Sequence, residues 1–484
     1  MSKLLPILHV LSKLMLLYSL LFAIPCAVSW FYDDGTAIDF AYSALAGGSF
    51  GSVLWLLTRR FERELKPRDG FTLVTLLWLT FATMSAVPLL LYIPGMSFTN
   101  AFFEAMSGLT TTGATLIPGL DRLPPAINFW RHFLNWVGGM GIIVLAVAIL
   151  PMLGIGGMQL YKAETPGPMK DSKLAPRIAQ TAANLWYVYA GLTAACALSL
   201  WLAGMTVLDA ICHAFAALSL GGFSTHDASV GYFDSVAIEL ILSCFMVLAA
   251  LNFATHFLAW RSRSLKSYLH DVEARHVVGL LAGSILLLSL WLWWLNIYSL
   301  PAALRHVSFN LISIATDSGF ASTDYAQWPI LVPLWMLFLS CLTASSGSTG
   351  GGIKMIRTLI LTRQGYREMS TLLHPRAVLP LMLGGRSIPD SVAFSVLGFI
   401  FVYFISVVLL TFTLIASGLD FISAFTAIVA CINNAGPGLG QVGPASNYSG
   451  LSDFQTWICT FAMLLGRLEI FTILILFTPT FWRK

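Results

Sequence analysis

"LDAICHAFAAL", residues 208–218, is an apolar stretch that runs, one serine later, into "LGGFST", residues 220–225. At about 1.5 Å per residue such a helix covers only roughly half of a ~30 Å hydrocarbon core. It is too short to cross a bilayer and too apolar for a loop in water. It suits a re-entrant half-helix, which membranes tolerate only where protein surrounds it or where it lines a watery cavity. Three further stretches read the same way: "TNAFFEAMSGL" before "TTTGAT" (110–115), "PAALRHVSFNLISI" before "TDSGFAST" (316–323), and "LDFISAFTAIVACI" before "NNAGPGLG" (433–440).

The surroundings of these stretches are membrane helix. The chain has 484 residues, 57% hydrophobic and 10% charged, with a mean hydropathy of +0.79. Uncharged runs of this length read as transmembrane spans. Ten spans are expected, at 9–30, 39–58, 71–93, 127–150, 183–204, 236–258, 276–299, 329–353 (broken), 391–417 and 455–480. The basic start followed by an apolar run has the outline of a signal peptide, but its length and the span that follows favour a retained first helix. The segments 1–13, 59–69, 151–182, 259–275, 354–390 and 481–484 hold 23 of the 27 Lys and Arg residues. Alternate loops are therefore basic, and the positive-inside rule puts both termini in the cytoplasm. The intervening loops 94–126, 205–235, 300–328 and 418–454 are outer, and each holds one of the four half-helices.

Aligned on Gly113, Gly222, Gly319 and Gly436, the glycine motifs are spaced by 109, 97 and 117 residues. That is an internal repeat of about 100 residues: helix, half-helix, glycine turn, helix. A lone glycine of this kind is most often a turn. Four at one place in four repeats ask for more. Four like units surround an axis, and their inward carbonyl oxygens replace the hydration shell of a monovalent cation. Glycine accepts the backbone angles this needs, and half-helix C-termini directed at the axis favour a cation. The expected organisation is an all-α polytopic membrane protein: two extra helices in 1–70, then pore repeats over 71–182, 183–275, 276–390 and 391–484. All four units run in the same orientation, which favours a pore over the inverted repeats of alternating-access transporters.

"SSGSTGGG", residues 345–352, breaks the eighth span. As a phosphate loop it fails, because Ile353 separates Gly352 from Lys354 and the flanks are membrane helix. Unwound backbone at this depth is acceptable where it lines the conduction path, so Ser345, Ser346, Gly347, Ser348, Thr349, Gly350, Gly351 and Gly352, with Lys354, are expected to form a gate. Arg467 and Glu469 lie in the last span. Residues two apart on a helix point about 200° apart and do not face each other. An ionisable group in a membrane is a functional candidate by default, and Arg467 is placed in the pore. Gly319 to Gly350 and Gly436 to Arg467 are both 31 residues, which sets the broken helix and Arg467 at similar depth.

The chain resembles the membrane subunits of bacterial Trk-type potassium uptake systems, in the TrkH/KtrB/HKT superfamily. The likeness covers the whole chain and is carried by "RDGFTLV" (68–74), "TTTGAT", "GGMGIIVLAVAILPMLGIGGMQLYKAE" (138–164), "GGFSTHDAS", "GSTGGGIK", "NNAGPGLG", "GRLEIFT" (466–472) and "TPTFW". The resemblance implies four pseudo-repeats around one pore per subunit, a homodimer in the bacterial inner membrane, and a cytosolic TrkA-like ring that brings the nucleotide, NAD or ATP/ADP, since this chain shows no nucleotide site. By motif it implies a filter of Thr111, Thr112, Gly113; Leu220, Gly221, Gly222; Asp317, Ser318, Gly319; and Asn434, Ala435, Gly436, with potassium as substrate held by backbone carbonyls. It implies a movable obstruction at 345–352, and Arg467 as an electrostatic barrier below the filter. Glycine at all four key positions goes with potassium preference in the family. Asp317 departs from the neutral sequence expected there: it either raises the local cation concentration or turns outward to hydrogen-bond a half-helix.

Other classes find little support. There is no HExxH, no GxSxG and no paired metal-ligand spacing, so no enzyme, no covalent cofactor and no nucleic-acid partner are expected beside the lipid bilayer. Seven scattered cysteines (26, 196, 212, 244, 341, 431 and 459) read as buried core residues. His213, His226, His256 and Arg131 read as satisfied polar groups or interface anchors. A coupled potassium–proton or potassium–sodium transporter stays open beside the gated pore.

Overall fold

The computed structural model describes residues 4–63, 65–144 and 178–483. Among these it is helical almost throughout, with one small hairpin, Met382–Leu383 against Arg386–Ser387. Six helices are long and apolar enough to cross a membrane: Leu5–Tyr32, Ala37–Phe61, Arg68–Tyr92, Ala183–Leu202, Val272–Trp294 and Asp390–Ala416. Counting each of two bent pairs as one span gives eight. Two of the ten expected spans are of another kind. The one at 127–150 is helical over Pro125–Val144, and its last six residues, like 151–177 of the basic segment after it, lie outside the described residues. The one at 329–353 is helical only over Leu331–Ser340.

Two spans expected to be continuous are bent. Val236–Ala250 meets Phe253–Ser262 at 99°, and Asp453–Arg467 meets Phe471–Phe477 at 107°. At the first bend Leu251 is extended, and Asn252 accepts the Ala254 N–H, so a new helix is capped inside an apolar run. At the second, Glu469 adopts a left-handed conformation. Its N–H reaches back to the Gly466 carbonyl (3.1 Å) and the Ile470 N–H to Leu465 (2.9 Å), closing the helix without glycine or proline.

Four short helices, Phe98–Leu109, Val207–Ser219, Leu300–Ala315 and Phe421–Asn433, lie between the long ones. Their starts are written locally. The Ser97, Thr206 and Asp420 side chains accept the Asn100, Asp209 and Ser423 N–H groups, and the third helix follows Ser299 with proline in its first turn. Their second halves are buried almost completely. Each packs against the helix before it and, in cyclic order, against the helix that follows the preceding short helix. Phe98–Leu109 thus meets Asp453–Arg467, Val207–Ser219 meets Pro125–Val144, Leu300–Ala315 meets Val236–Ala250, and Phe421–Asn433 meets Leu331–Ser340. Small residues allow this approach, as they do wherever membrane helices pack by shape. A methyl on Gly138 would lie 1.9 Å from the Leu109 carbonyl oxygen, and one on Gly466 1.8 Å from that of Ile432. The hairpin Leu5–Tyr32 with Ala37–Thr58 stands at the edge. It packs on Pro67–Tyr92, where the Tyr18 hydroxyl meets Ser85 Oγ at 2.6 Å, and leaves Leu45, Phe50 and Leu57 exposed for lipid.

Candidate functional site

All four short helices end in the same closure. The N–H groups of Thr112, Gly221, Ser318 and Ala435 reach back to the carbonyls of Ser107, Ala216, Ser313 and Ala430, each at 2.8 Å. The N–H groups one residue earlier, at Thr111, Leu220, Asp317 and Asn434, bond the carbonyls three residues back. This is the Schellman pattern, and it requires a left-handed residue. Thr111, Leu220, Asp317 and Asn434 supply it, with φ of 53°, 56°, 67° and 59°. The pattern turns the chain sharply and sends the next two residues back along the helix axis.

Those residues come together in a cycle. A methyl on Gly113 would lie 2.1 Å from the Gly221 oxygen, on Gly222 1.7 Å from Ser318, on Gly319 2.5 Å from Ala435, and on Gly436 2.6 Å from Thr112. Each key glycine thus abuts the carbonyl preceding the key glycine of the next segment, and the fourth closes on the first. The four glycines have φ between 62° and 87°, where a side chain is strained even without a neighbour. Positive backbone angle and lack of room together demand glycine here. The ring presents carbonyl oxygens as its polar groups, and carbonyl oxygens are groups that can replace the hydration shell of a cation.

A second tier of polar residues holds the outer legs of these turns. Nine residues before the first three key glycines stand Glu104, His213 and Asn310. Glu104 accepts from Leu116 N–H (2.9 Å) and Thr115 Oγ1 (2.9 Å). Asn310 accepts Ser322 N–H (3.1 Å), and His213 Nε2 meets Ser224 Oγ (3.0 Å). Glu104 is also ion-paired with Arg131 Nε at 2.8 Å, both buried. Arg131 reaches the Ser224 carbonyl of the second segment (3.3 Å) and lies 4.3 Å over Phe223. Arg131, read from sequence as a satisfied polar group, is therefore a crosslink between the first and second segments. Glu104 was missed, although a polar residue at one register in three of four repeats was a visible signal. Outside the half-helices, His226 Nδ1 bonds Asp121 (2.5 Å) and its Nε2 lies 3.6 Å from Asp209. Burial opposes its imidazolium, but the two carboxylates outweigh that and raise its pKa. The same contact with His226 holds Asp121 below the usual carboxylate range, against its partial burial.

Beneath the ring lies the irregular segment between Leu331–Ser340 and Met355–Leu373. Its hydrogen bonds go to many places. Ser345 N–H donates to Ala250 O (2.9 Å), and Gly347 O accepts Phe253 N–H (3.2 Å). Ser346 N–H donates to the buried Glu273 carboxylate (2.8 Å), and Thr349 Oγ1 donates to Leu218 O (3.0 Å). Lys354 Nζ bonds Gly350 O. Arg467 donates to Thr349 O (3.0 Å) and, from its other terminal nitrogen, to Gly138 O (2.8 Å). It makes no ion pair among the described residues and is buried. Glu469 pairs instead with Arg357 (2.7 Å), which lies 4.0 Å over Phe399. Gly350 and Gly351 touch the underside of the ring. A methyl on Gly351 would lie 1.9 Å from Asn433 O and 3.2 Å from Asn434 Oδ1; one on Gly350 would lie 3.2 Å from Asp317 Oδ2 and 3.4 Å from Leu220 Cδ1.

The residues singled out by sequence therefore converge. The glycines 113, 222, 319 and 436 and the carbonyls of 112, 221, 318 and 435 form the ring. The side chains of Leu220, Asp317 and Asn434 face the loop 345–352, and Arg467 ties that loop to Pro125–Val144. One alternative for Asp317 is corrected: it does not hydrogen-bond a half-helix. Neither of its carboxylate oxygens has a hydrogen-bond partner among the described residues, because the left-handed turn aims the side chain at the loop. No cluster of three or more His, Cys, Asp or Glu suited to a metal ion occurs among the described residues.

Comparison with known proteins agrees over nearly the full length. The family model TrkH, described as cation transport protein, matches residues 39–484. The Trk system potassium uptake protein TrkH of Vibrio parahaemolyticus is 48% identical over 482 residues, covering 99% of both chains. That of Salmonella typhimurium is 46% identical over 478 residues, covering 98% of this chain and 99% of its own. The crystal structure of the potassium transporter TrkH from Vibrio parahaemolyticus superposes with a TM-score of 0.91 at 45% identity, covering 99% of this chain and all of that one.

Proposed function

The chain belongs to the TrkH family of cation transport proteins, and on that footing we propose that it is a potassium uptake protein, the membrane subunit of a Trk system in a bacterial inner membrane. The family is one of transporters, not of enzymes. In this reading ten spans, two of them outside the pore, carry four repeats around one path. The ring of Gly113, Gly222, Gly319 and Gly436 with its carbonyls selects the ion. The observation that carries the reading is the cyclic approach of those four glycines, each to the carbonyl of the next segment. Carbonyl dipoles in a closed ring replace water around potassium, and the C-terminal ends of four half-helices add partial negative charge.

The loop 345–352 with Lys354 and Arg467 obstructs the path below the ring. Its burial, the contact of its Gly350 and Gly351 with Leu220, Asp317 and Asn434, and the guanidinium bridging Thr349 and Gly138 support this. A fixed positive charge under a cation filter opposes passage until the loop moves. A cytosolic nucleotide-binding ring acts on the inner face, two subunits pair, and both termini are cytoplasmic. Rubidium influx into proteoliposomes under imposed potassium, sodium and proton gradients tests the function. A gated pore passes rubidium down its own gradient with the proton gradient collapsed. Influx that stops when the proton or sodium gradient is removed would replace the pore by a coupled transporter.

A further inference from the structure

We propose that Asp317 and Asn434 form a cation site between the ring and the loop, which potassium occupies when the loop withdraws and which the loop and Lys354 fill when it is closed. This rests on the pore reading above and adds a binding site to it. The case begins with burial. Other buried carboxylates near the pore have partners: Glu104 has Arg131, Glu239 has Arg305, and Glu273 has the Ser346 amide. Asp317 is fully buried, and neither oxygen has a partner at full hydrogen-bond geometry among the described residues; the backbone donor directed at it is the Gly351 amide of the loop. A buried carboxylate without compensation is costly. Asn434 repeats the pattern one segment on. Its Nδ2 is satisfied by Thr112 Oγ1 (3.0 Å) and Met463 O (3.0 Å), but its buried Oδ1 has no partner.

The two residues hold the same register, two before Gly319 and Gly436, and the same left-handed conformation. Their unpartnered oxygens sit against consecutive loop residues: Asp317 Oδ2 is 3.2 Å from where a methyl on Gly350 would stand, and Asn434 Oδ1 is 3.2 Å from one on Gly351. A carboxylate and an amide oxygen therefore both face the loop, at consecutive glycines. Oxygen acceptors whose facing donors belong to a movable loop are, once that loop leaves, the ligand set of a hard monovalent cation. The positive charges that act on Asp317 are those of Lys354 and Arg467, and Lys354 bonds the Gly350 carbonyl. Lys354 travels with the loop. When loop and ammonium leave together, they vacate a space and remove a positive charge in one movement, and a potassium ion replaces both.

Equilibrium binding of rubidium to the purified full-length protein in detergent, with choline balancing ionic strength, tests this as a difference between variants. Lys354→Met removes both the charge and the bond that holds Gly350, so the loop is freed to withdraw; it is expected to bind one more rubidium per chain than the unaltered protein, and Lys354→Met with Asp317→Asn to lose that gain. Matched thermal unfolding in choline checks that all variants are folded. No gain in Lys354→Met, or a gain that survives Asp317→Asn, overturns the site. So does uptake of a proton in place of rubidium, read as a pH change in unbuffered solution, because the occupant would then be a proton. Failure of the filter reading looks different: the unaltered protein itself would bind no rubidium, whatever the variants do.

Discussion

The glycine ring and the loop 345–352 touch, yet they are built on opposite rules. The ring is made four times from one closure, with the same 2.8 Å bond at each helix end, and each segment is wedged between two others. The loop is made once. It borrows single bonds from Ala250, Phe253, Leu218, Glu273 and Arg467, all from other parts of the chain. Moving one member of the ring breaks contacts with both neighbours. The loop leaves as a unit once a handful of bonds let go. Repetition thus suits the part that must hold a fixed geometry, and the single copy suits the part that must change.

Substitutions that break one side of this contrast rank by how deeply they cut into it. Gly222→Ala is the most severe, since its methyl would lie 1.7 Å from the Ser318 oxygen. Growth of an uptake-deficient bacterium on low potassium should be abolished, and growth at the unaltered rate would contradict the ring. Arg467→Ala should act in the other direction. It frees the loop from Gly138 and removes the positive charge, so rubidium flux without the cytosolic partner should rise about tenfold, equivalent to roughly 1.4 kcal/mol of barrier. Arg131→Met leaves Glu104 buried without its cation, with only the Thr115 and Leu116 bonds remaining, a change that costs about 3–5 kcal/mol in comparable pairs. Thermal unfolding should come several degrees earlier, with the double variant Glu104→Gln, Arg131→Met recovering part of the loss. Glu273→Gln keeps the shape of the acceptor for Ser346 and removes its charge, so partner-independent flux should rise only a few-fold.

The smallest effect lies outside both regions. The Asp121–His226–Asp209 contact ties the outer segments of the first and second repeats. The raised pKa of His226 means the tie contributes fully below the ordinary imidazole pKa of about 6.5 and is lost as pH rises through the higher, folded value. External alkalinisation should therefore loosen these segments, seen as faster amide exchange at 119–122. His226→Ala should remove that pH dependence and leave selectivity unchanged.

Much of this contrast was legible in the sequence because it is repetitive. Four apolar stretches too short to span, each ending in glycine, gave the half-helices, and the equal interval of 31 residues set the broken helix and Arg467 at similar depth, where Arg467 meets the Thr349 carbonyl. What stayed hidden was written in residues with no common type. Thr, Leu, Asp and Asn share the left-handed position, so no composition signal marks it. The bend at 250–253 rests on one capping asparagine, and the bend after Arg467 has neither glycine nor proline. Arg131 finds Glu104, 27 residues away, and Arg357 finds Glu469 across 112 residues. Pairings of that range follow from the packing of repeats, which one sequence does not spell out.

The central claim is that selection and obstruction are separable parts of one path. Rubidium and sodium fluxes, measured in one proteoliposome preparation for Gly436→Ser and for a chain lacking 347–350, test it most directly. Gly436→Ser is the mildest intrusion into the ring, 2.6 Å from the Thr112 oxygen. It should lower the preference for rubidium over sodium while flux stays dependent on the cytosolic partner. The shortened loop should raise partner-independent flux with the preference intact. If each variant shifts both quantities together, the ring and the loop are one device, and the account is wrong.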